Sequence, residues 1–190
     1  MRKSYIIMGS LFIFFLLLFF ISSLQVNDLN ANVTQQEWDA NAKVTELGIE
    51  LKAPGAPVAN YVHAVKSGNQ IFLSGKGPQK ADGSFITGKL GSDLSIEQGY
   101  EAGRLTGIAQ LAVLKAELGD LNKVKRVVKV LGMVNCTPNF KDQSKIVNGY
   151  SDLMVAVFGK KGSHARSAVG MAGLPGNIAI EVEMIVEVED

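Results

Sequence analysis

The chain has 190 residues, 47% of them hydrophobic, and its 19 basic residues nearly balance its 18 acidic ones. This length allows one ordinary domain, and the near-neutral charge offers no electrostatic footprint for nucleic acid. Cys136 is the single cysteine. An intramolecular disulfide, a multi-cysteine zinc site and a Cys-x-x-Cys redox pair are therefore excluded.

The N-terminal region is strongly hydrophobic. Residues 5–24 read YIIMGSLFIFFLLLFFISSL, a run without charge that follows Arg2 and Lys3. The run is long enough to span a bilayer as a helix and is longer than the usual apolar core of a cleaved signal. We predict that residues 1–26 are a membrane-targeting segment, either an uncleaved signal anchor or a cleaved signal. The positive-inside rule then puts the domain on the extracytoplasmic side, membrane-anchored or secreted.

Residues 27–46 are polar and are interpreted as a tether that can become helical around residues 35–47. The folded domain is expected over residues 47–190. It opens with two strand-like runs, residues 61–66 and 70–74, which flank a turn cluster at residues 67–69. This arrangement predicts a β-hairpin.

Two long helices are predicted. Ser95 and Gln98 have the spacing of a capping box, and the helical run after them continues to Leu118 and stops at Gly119. Glycines 99, 103 and 107 leave one stripe of this helix almost without side chains, which favours close packing over ligand binding. The second helix ends at Gly159 and is indicated by apolar residues at helical spacing: Ile146, Tyr150, Leu153, Met154 and Val157.

The remaining segments favour strands. Residues 124–134 are rich in β-branched residues and predict a buried strand. Residues 166–171 and 178–188 flank a turn at residues 174–177 and are interpreted as a second hairpin. The last strand alternates apolar residues with glutamates, so one face is expected under the helices. The order of elements predicts an α+β domain, a mixed sheet with two helices packed on one face. Its sheet edges favour a closed homo-oligomer.

Several motifs together resemble one known family. The C-terminal ones are HARSAV at residues 164–169, Leu-Pro at 174–175 and IEVE at 180–183, and the upstream ones are YVHAV at 61–65 and IFLSG at 71–75. In this combination the chain resembles the reactive intermediate deaminases, the YjgF-like or RidA family, over about residues 61–188. Residues 97–100 (EQGY) and 132–137 (GMVNCT) are similar to its branch labelled endoribonuclease L-PSP or chorismate-mutase-like.

The resemblance implies a fold like that of a small chorismate mutase, assembled as a homotrimer with a cleft at each subunit interface. It implies hydrolysis of small enamines and imines, such as 2-aminoacrylate, to 2-keto acids and ammonia. Neither a metal nor a cofactor is implied. Two alternatives remain open, a non-catalytic trimer that binds small carboxylates and, less favoured by the neutral charge, a ribonuclease.

The resemblance also assigns catalytic residues. Arg166 falls on the family arginine that holds the substrate carboxylate, a role that suits the planar fork of a guanidinium. Ala168 falls where the backbone carbonyl receives the imine N–H, and Glu181 falls on the acid that places or activates water. The alternatives are a surface or interface salt bridge for Arg166, for example to a C-terminal glutamate, and a simply solvated Glu181.

Substrate-binding positions come from the same comparison. Tyr61 and Ser74 fall on positions that line the family cleft, and Gly75 would let the backbone approach a ligand. Two departures from the family pattern are Lys76, where many members carry glutamine, and Asn60, where a Gly-Pro turn is usual. They leave the substrate undetermined.

Three other residues receive no catalytic role. His63 and His164 lack acidic neighbours at ligand spacing, so the sequence does not support a metal pair. Cys136 is interpreted as a buried structural cysteine, since no basic partner can be placed beside it from sequence.

Overall fold

The computed structural model describes residues 38–189. The predicted membrane-targeting segment, residues 1–26, lies outside the described residues. Within residues 38–189 no helix combines the length and the apolar character needed to cross a membrane.

Five strands form one mixed sheet: β1 Ala64–Ser67, β2 Gln70–Lys76, β3 Val124–Asn135, β4 Ala165–Met171 and β5 Ile180–Val188. Their spatial order is β1-β2-β5-β3-β4. β3 and β4 are parallel, and the other neighbouring pairs are antiparallel. The predicted first hairpin is confirmed as β1 and β2, and the buried strand as β3.

Three helices accompany the sheet: α1 Ala40–Glu46, α2 Ile96–Leu118 and α3 Gln143–Phe158. The two long helices, α2 and α3, are those predicted from the sequence. Ser95 and Gln98 form the expected capping box at the start of α2. Gly119 ends α2 with φ of 70°, a left-handed conformation that costs little only in glycine.

The predicted second hairpin is wrong. β4 pairs with β3, while β5 lies on the opposite side of β3. The Pro175–Asn177 segment is a single 3-10 turn between two strands that are not neighbours. The reason is that β3, α3 and β4 form a β-α-β unit, in which the helical crossover brings β4 parallel to β3. Local turn residues mark a reversal of the chain and do not select the neighbouring strand.

The alternation predicted for the last strand is confirmed. Every second residue of β5, from Ile180 to Val188, is buried, and the intervening positions are half-buried or exposed. On the buried face Tyr150 of α3 is fully enclosed, and its hydroxyl lies 3.1 Å from the sulfur of Met184. The long helices therefore cover one face of the sheet, and the glutamates of β5 lie on the other.

α2 and α3 approach to backbone contact. A Cβ atom at Gly103 would overlap the carbonyl oxygen of Ile146, and one at Gly149 would overlap that of Tyr100. Gly99 and Gly107 likewise face side chains of α3. The glycine stripe of α2 thus serves close helix–helix packing, as its spacing predicts.

The folded unit begins at Trp38. α1 lies within the segment that the sequence indicates as a tether, and its Ala40 and Val44 are buried. The indole of Trp38 donates a hydrogen bond of 2.7 Å to the carbonyl of Val157 at the end of α3. These contacts fasten the first described residues to the helical layer.

We expect Gly149→Ala to destabilise the domain, because the added methyl group must push the two helices apart. Overpacking of this kind costs about 1–3 kcal/mol, which lowers Tm by roughly 2–4 °C per kcal/mol. Thermal unfolding followed by circular dichroism measures the effect. Gly173→Ala is the matched control, since its Cβ would meet nothing within 4 Å. Equal melting temperatures for the two variants would contradict the helix contact described here.

Candidate functional site

Arg166 is held in place by α3. It lies on β4 opposite Val130, whose side chain is buried on the helical side of the sheet. Its Nη1 atom donates to Oδ1 of Asn148 at 2.8 Å and to Oγ of Ser151 at 3.0 Å. None of the carboxylates in residues 38–189 forms an ion pair with Arg166. The guanidinium is therefore oriented by neutral acceptors, and its charge has no partner within the described chain.

A histidine extends this network. Nδ1 of His164 lies 2.6 Å from the carbonyl oxygen of Gly162, and Nε2 lies 3.1 Å from Oγ of Ser151. Because a carbonyl can only accept, Nδ1 carries the proton and Nε2 accepts from the Ser151 hydroxyl. Burial lowers the pKa of His164, and the positive charge of Arg166 lowers it further. The hydrogen bond to Gly162 raises this pKa, but by less than burial lowers it. A neutral His164 therefore orients Ser151, which accepts from Arg166.

Asn148, Ser151 and His164 were not among the sequence-based site predictions. Asn148 and Ser151 are three residues apart on α3, so they share a helix face. That spacing was visible in the sequence. The contact of Asn148 and Ser151 with β4 could not be predicted from the sequence, because it depends on how the crossover helix α3 packs against β4. Ala168, the second predicted residue of β4, lies two positions beyond Arg166 and opposite Gly132.

A second group of predicted residues surrounds the end of β2. The hydroxyl of Ser74 donates to the carbonyl of Val62 at 2.6 Å, and the Tyr61 ring meets the His63 ring edge-on at 6.3 Å. A Cβ atom at Gly75 would overlap the carboxylate of Glu181. Glycine at this position therefore allows Glu181 to lie against β2. The fold thus brings Tyr61, Ser74, Gly75 and Glu181 into one region.

The Glu181 carboxyl is half-buried on the face of the sheet away from the helices. Burial raises its pKa, and the neighbouring negative charge of Glu183 raises it further. A carboxyl with a raised pKa is closer to the range that suits proton transfer at neutral pH. Glu181 is therefore not equivalent to an ordinary solvated glutamate.

A single chain does not bring the two groups together. Glu181 on β5 is separated from β4 by β3, and β2 is one strand further away, so at about 4.8 Å per strand the two groups lie roughly 10–14 Å apart across the sheet. Moreover, Arg166 lies on the helical side of the sheet, whereas Glu181 lies on the other face. One protomer therefore contains both halves of the predicted site at different places.

Two cavities lie near these residues. One of about 390 Å³ is formed at the end of β2, and its lining includes Tyr61, His63, Gly75 and Lys76. The other, of about 490 Å³, lies at the C-terminal ends of β3 and β4, and its lining includes Lys89, Gln143 and Cys136. Cys136 is buried, as predicted. Within residues 38–189 no group of three or more His, Cys, Asp or Glu side chains is arranged to hold a metal ion.

The sequence profile of the family described as "YjgF/chorismate_mutase-like, putative endoribonuclease" matches residues 41–188. The chain belongs to this YjgF-like family. The mixed five-stranded sheet and its helical layer agree with the chorismate-mutase-like fold that the sequence motifs imply. The individual site residues taken from the family remain predictions for this member.

Three proteins similar to this chain show how far the likeness extends. Protein TCP17 of Trypanosoma cruzi is 45% identical over 150 residues, which cover 78% of this chain and 94% of TCP17. A 2-iminobutanoate/2-iminopropanoate deaminase of Dermatophagoides farinae is 29% identical over 134 residues, covering 70% and 89% of the two chains. The crystal structure of Atu1372 from Agrobacterium tumefaciens, of unknown function, matches with 39% identity and a TM-score of 0.73, covering 79% and 94%.

We expect Glu181→Gln to raise Tm above the wild-type value at about pH 7–8 and to leave it unchanged below about pH 4. A carboxyl whose folded pKa is raised contributes stability while protonated, and loses it as the pH rises through the folded pKa. The neutral amide avoids that loss. Melting curves across this pH range test the sign, with the exposed Glu189→Gln as control. A difference in Tm that is independent of pH would show that ionisation of Glu181 is not its cause.

Proposed function

We propose that this protein hydrolyses small imines and enamines of the 2-aminoacrylate type to 2-keto acids and ammonia, without a cofactor, in clefts between the copies of a homotrimer. The observation that carries the proposal is the oriented and unpaired guanidinium of Arg166. A relative named as a 2-iminobutanoate/2-iminopropanoate deaminase supports the reaction class.

The environment of Arg166 suits a carboxylate ligand. Asn148 and Ser151 occupy only one nitrogen of the guanidinium, which leaves further N–H donors for a bidentate contact. The alternative role, a salt bridge to a C-terminal glutamate, finds no support among the described residues, since Arg166 forms no ion pair there. A structural arginine would be expected to have a fixed anionic partner.

A second copy is needed to complete such a cleft. The sheet ends in two strands, β1 and β4, that each pair on one side only. The face away from the helices exposes apolar side chains of the strands, with Val65 at 54%, Phe72 at 42% and Val169 at 38% exposure. Covering these edges and this face by symmetric assembly would bury them. We propose that the same assembly brings Arg166 of one copy beside Glu181 of the next.

In the proposed cleft the roles divide by chemistry. Arg166 binds the substrate carboxylate, the carbonyl of Ala168 accepts the imine N–H, and Glu181 takes a proton from the attacking water. The water oxygen adds to the imine carbon, and the proton held by Glu181 passes to the nitrogen, giving a carbinolamine. The hydroxyl proton of this intermediate then passes to the nitrogen through Glu181, and ammonia leaves as the carbonyl forms. Tyr61 and Ser74 shape the pocket, and Gly75 gives room for Glu181.

We expect both Arg166→Lys and Arg166→Ala to weaken binding of 2-oxobutanoate and to slow hydrolysis of enamines generated in situ. The loss of a charge-assisted contact costs about 1.5–3 kcal/mol, roughly tenfold to a hundredfold in Kd. Alanine should be the more damaging, because lysine keeps the charge while losing the fork. Calorimetric titration and keto acid release measure the two effects.

The matched control is Arg126→Ala, which removes an exposed arginine of β3. Circular dichroism should show that the Arg166 variants remain folded. If both Arg166 variants bind 2-oxobutanoate with wild-type affinity, Arg166 does not bind the substrate carboxylate and the proposal fails.

The division of the cleft between copies predicts complementation. Chains carrying Arg166→Ala and chains carrying Glu181→Gln should each be inactive as pure trimers. Random assembly of a 1:1 mixture should restore activity to roughly a quarter of all clefts, one in each mixed trimer, because each neighbour is of the required type half the time. Light scattering reports the trimer, and the keto acid assay after co-refolding reports the recovery. Absence of recovery in proven mixed trimers would show that the two residues do not share a cleft across copies.

The second candidate function is a trimer that binds small carboxylates without turning them over. It is favoured by Lys76, which stands in place of the usual glutamine. An extracytoplasmic location, proposed from residues 1–26, would also separate the cleft from intermediates made by cytoplasmic enzymes. Binding without keto acid release, with loss of binding in Arg166→Ala, would establish this function instead. The near-neutral charge makes the ribonuclease the weakest candidate.

A further inference from the structure

The cavity at the end of β2 contains an amine in an unusual setting. Lys76 lies opposite Val182, which is buried beneath the helices, so its side chain extends on the helical side of the sheet. The cavity walls there include Tyr61, Phe85 and Ala109. None of the carboxylates in residues 38–189 forms an ion pair with Lys76. The amine is half-buried in a space that could admit a small molecule.

His63 is fixed against this amine. Its Nε2 lies 2.6 Å from the carbonyl oxygen of Gly55, and its Nδ1 lies 2.6 Å from Nζ of Lys76. The carbonyl can only accept, so Nε2 carries the proton and Nδ1 presents a lone pair to Lys76. The imidazole is thus held as a neutral acceptor that can take a proton from the amine nitrogen.

Desolvation favours the neutral form of the amine. Burial lowers the pKa of the Lys76 ammonium, because removing the cation from water disfavours the charged form. Each unit of lowering raises the fraction of neutral amine at pH 7 about tenfold. A desolvated lysine without a carboxylate partner is the usual form of an amine nucleophile toward carbonyl compounds.

We propose that Lys76 binds small aldehydes and 2-keto acids covalently, as a reversible Schiff base, in the cavity formed with His63 and Tyr61. The neutral amine attacks the carbonyl carbon, and the carbonyl electron pair moves to the oxygen. The nitrogen passes one proton to Nδ1 of His63, which returns it to the oxygen, giving a neutral carbinolamine. The second N–H proton then passes through His63 to the departing hydroxide, which leaves as water, and the nitrogen electron pair forms the C=N bond. Amine and carbonyl compound thus give imine and water, without an oxidant or reductant.

This site shares Tyr61 and Gly75 with the pocket proposed for hydrolysis, but its chemistry requires neither Arg166 nor Glu181. All of its residues come from one protomer. It lies on the opposite side of β2 from the Glu181 carboxylate. Schiff-base formation and imine hydrolysis can therefore succeed or fail separately.

The test is reductive trapping on the full-length chain in mild detergent at pH 7. Glyoxylate and pyruvate are the probes, each added at low excess with sodium cyanoborohydride, which reduces the imine to a stable secondary amine. We expect one dominant adduct by intact mass and peptide mapping, at Lys76, forming at least about tenfold faster than at any other lysine. If adducts are instead spread evenly over the exposed lysines and Lys76 is not favoured, this result with the wild-type protein alone overturns the proposal.

Variants sharpen the result. Lys76→Arg keeps a cation and should abolish the dominant adduct, whereas Lys125→Arg, at an exposed position of β3, should leave it unchanged. His63→Gln removes the fixed acceptor and should slow trapping without moving the adduct to another residue. Arg166→Ala should trap as the wild type does. If Arg166→Ala loses hydrolysis but keeps the Lys76 adduct, the two sites are separate. Undiminished trapping in Lys76→Arg would overturn the proposal.

Discussion

The structure depends on the backbone contact between α2 and α3. Gly103 and Gly149 allow the two helices to touch at the level of their main chains, since neither position has room for a Cβ atom. α3 is thereby fixed against α2, and α2 is in turn packed on β5 and β2. Asn148 and Ser151, which flank Gly149, hold Arg166. The glycine contact therefore positions the acceptors that orient the guanidinium.

The other half of the predicted site depends on a β-bulge. The register between β2 and β5 shifts between Leu73 and Lys76, which interrupts the ladder at Ser74 and Gly75. Gln110 of α2 enters the buried layer and donates to the carbonyl oxygens of Ser74 at 3.1 Å and Val182 at 2.8 Å. The side chain amide thus satisfies acceptors at the disrupted ladder. Bulges often redirect side chains near functional sites. This bulge lies next to Glu181 on one face of the sheet and Lys76 on the other.

Local signals predicted much of this fold. The capping box at Ser95, the apolar spacing of α3 and the alternation of β5 are each encoded within a few residues, and each is confirmed. The hairpin at residues 174–177 failed because a turn gives the direction of the chain and not the identity of the neighbouring strand. Strand order depends on the crossover through α3. The same limit explains Asn148 and Ser151, whose significance depends on where β4 packs.

Sequence similarity and geometry inform different parts of the site. The family pattern identified Arg166 and Glu181 as belonging together, yet within one chain they are separated by strand β3 and lie on opposite faces of the sheet. If both act on one substrate, a second chain must supply one of them, so the assembly becomes part of the chemistry.

Lys76 and His63 show the opposite case. Their contact of 2.6 Å lies within one protomer, and it arises where the sequence departs from the family pattern. A family comparison transfers the shared arginine and acid, but the properties of Lys76 follow only from its burial, its neutral neighbour and the absence of an ion-pair partner within the described residues.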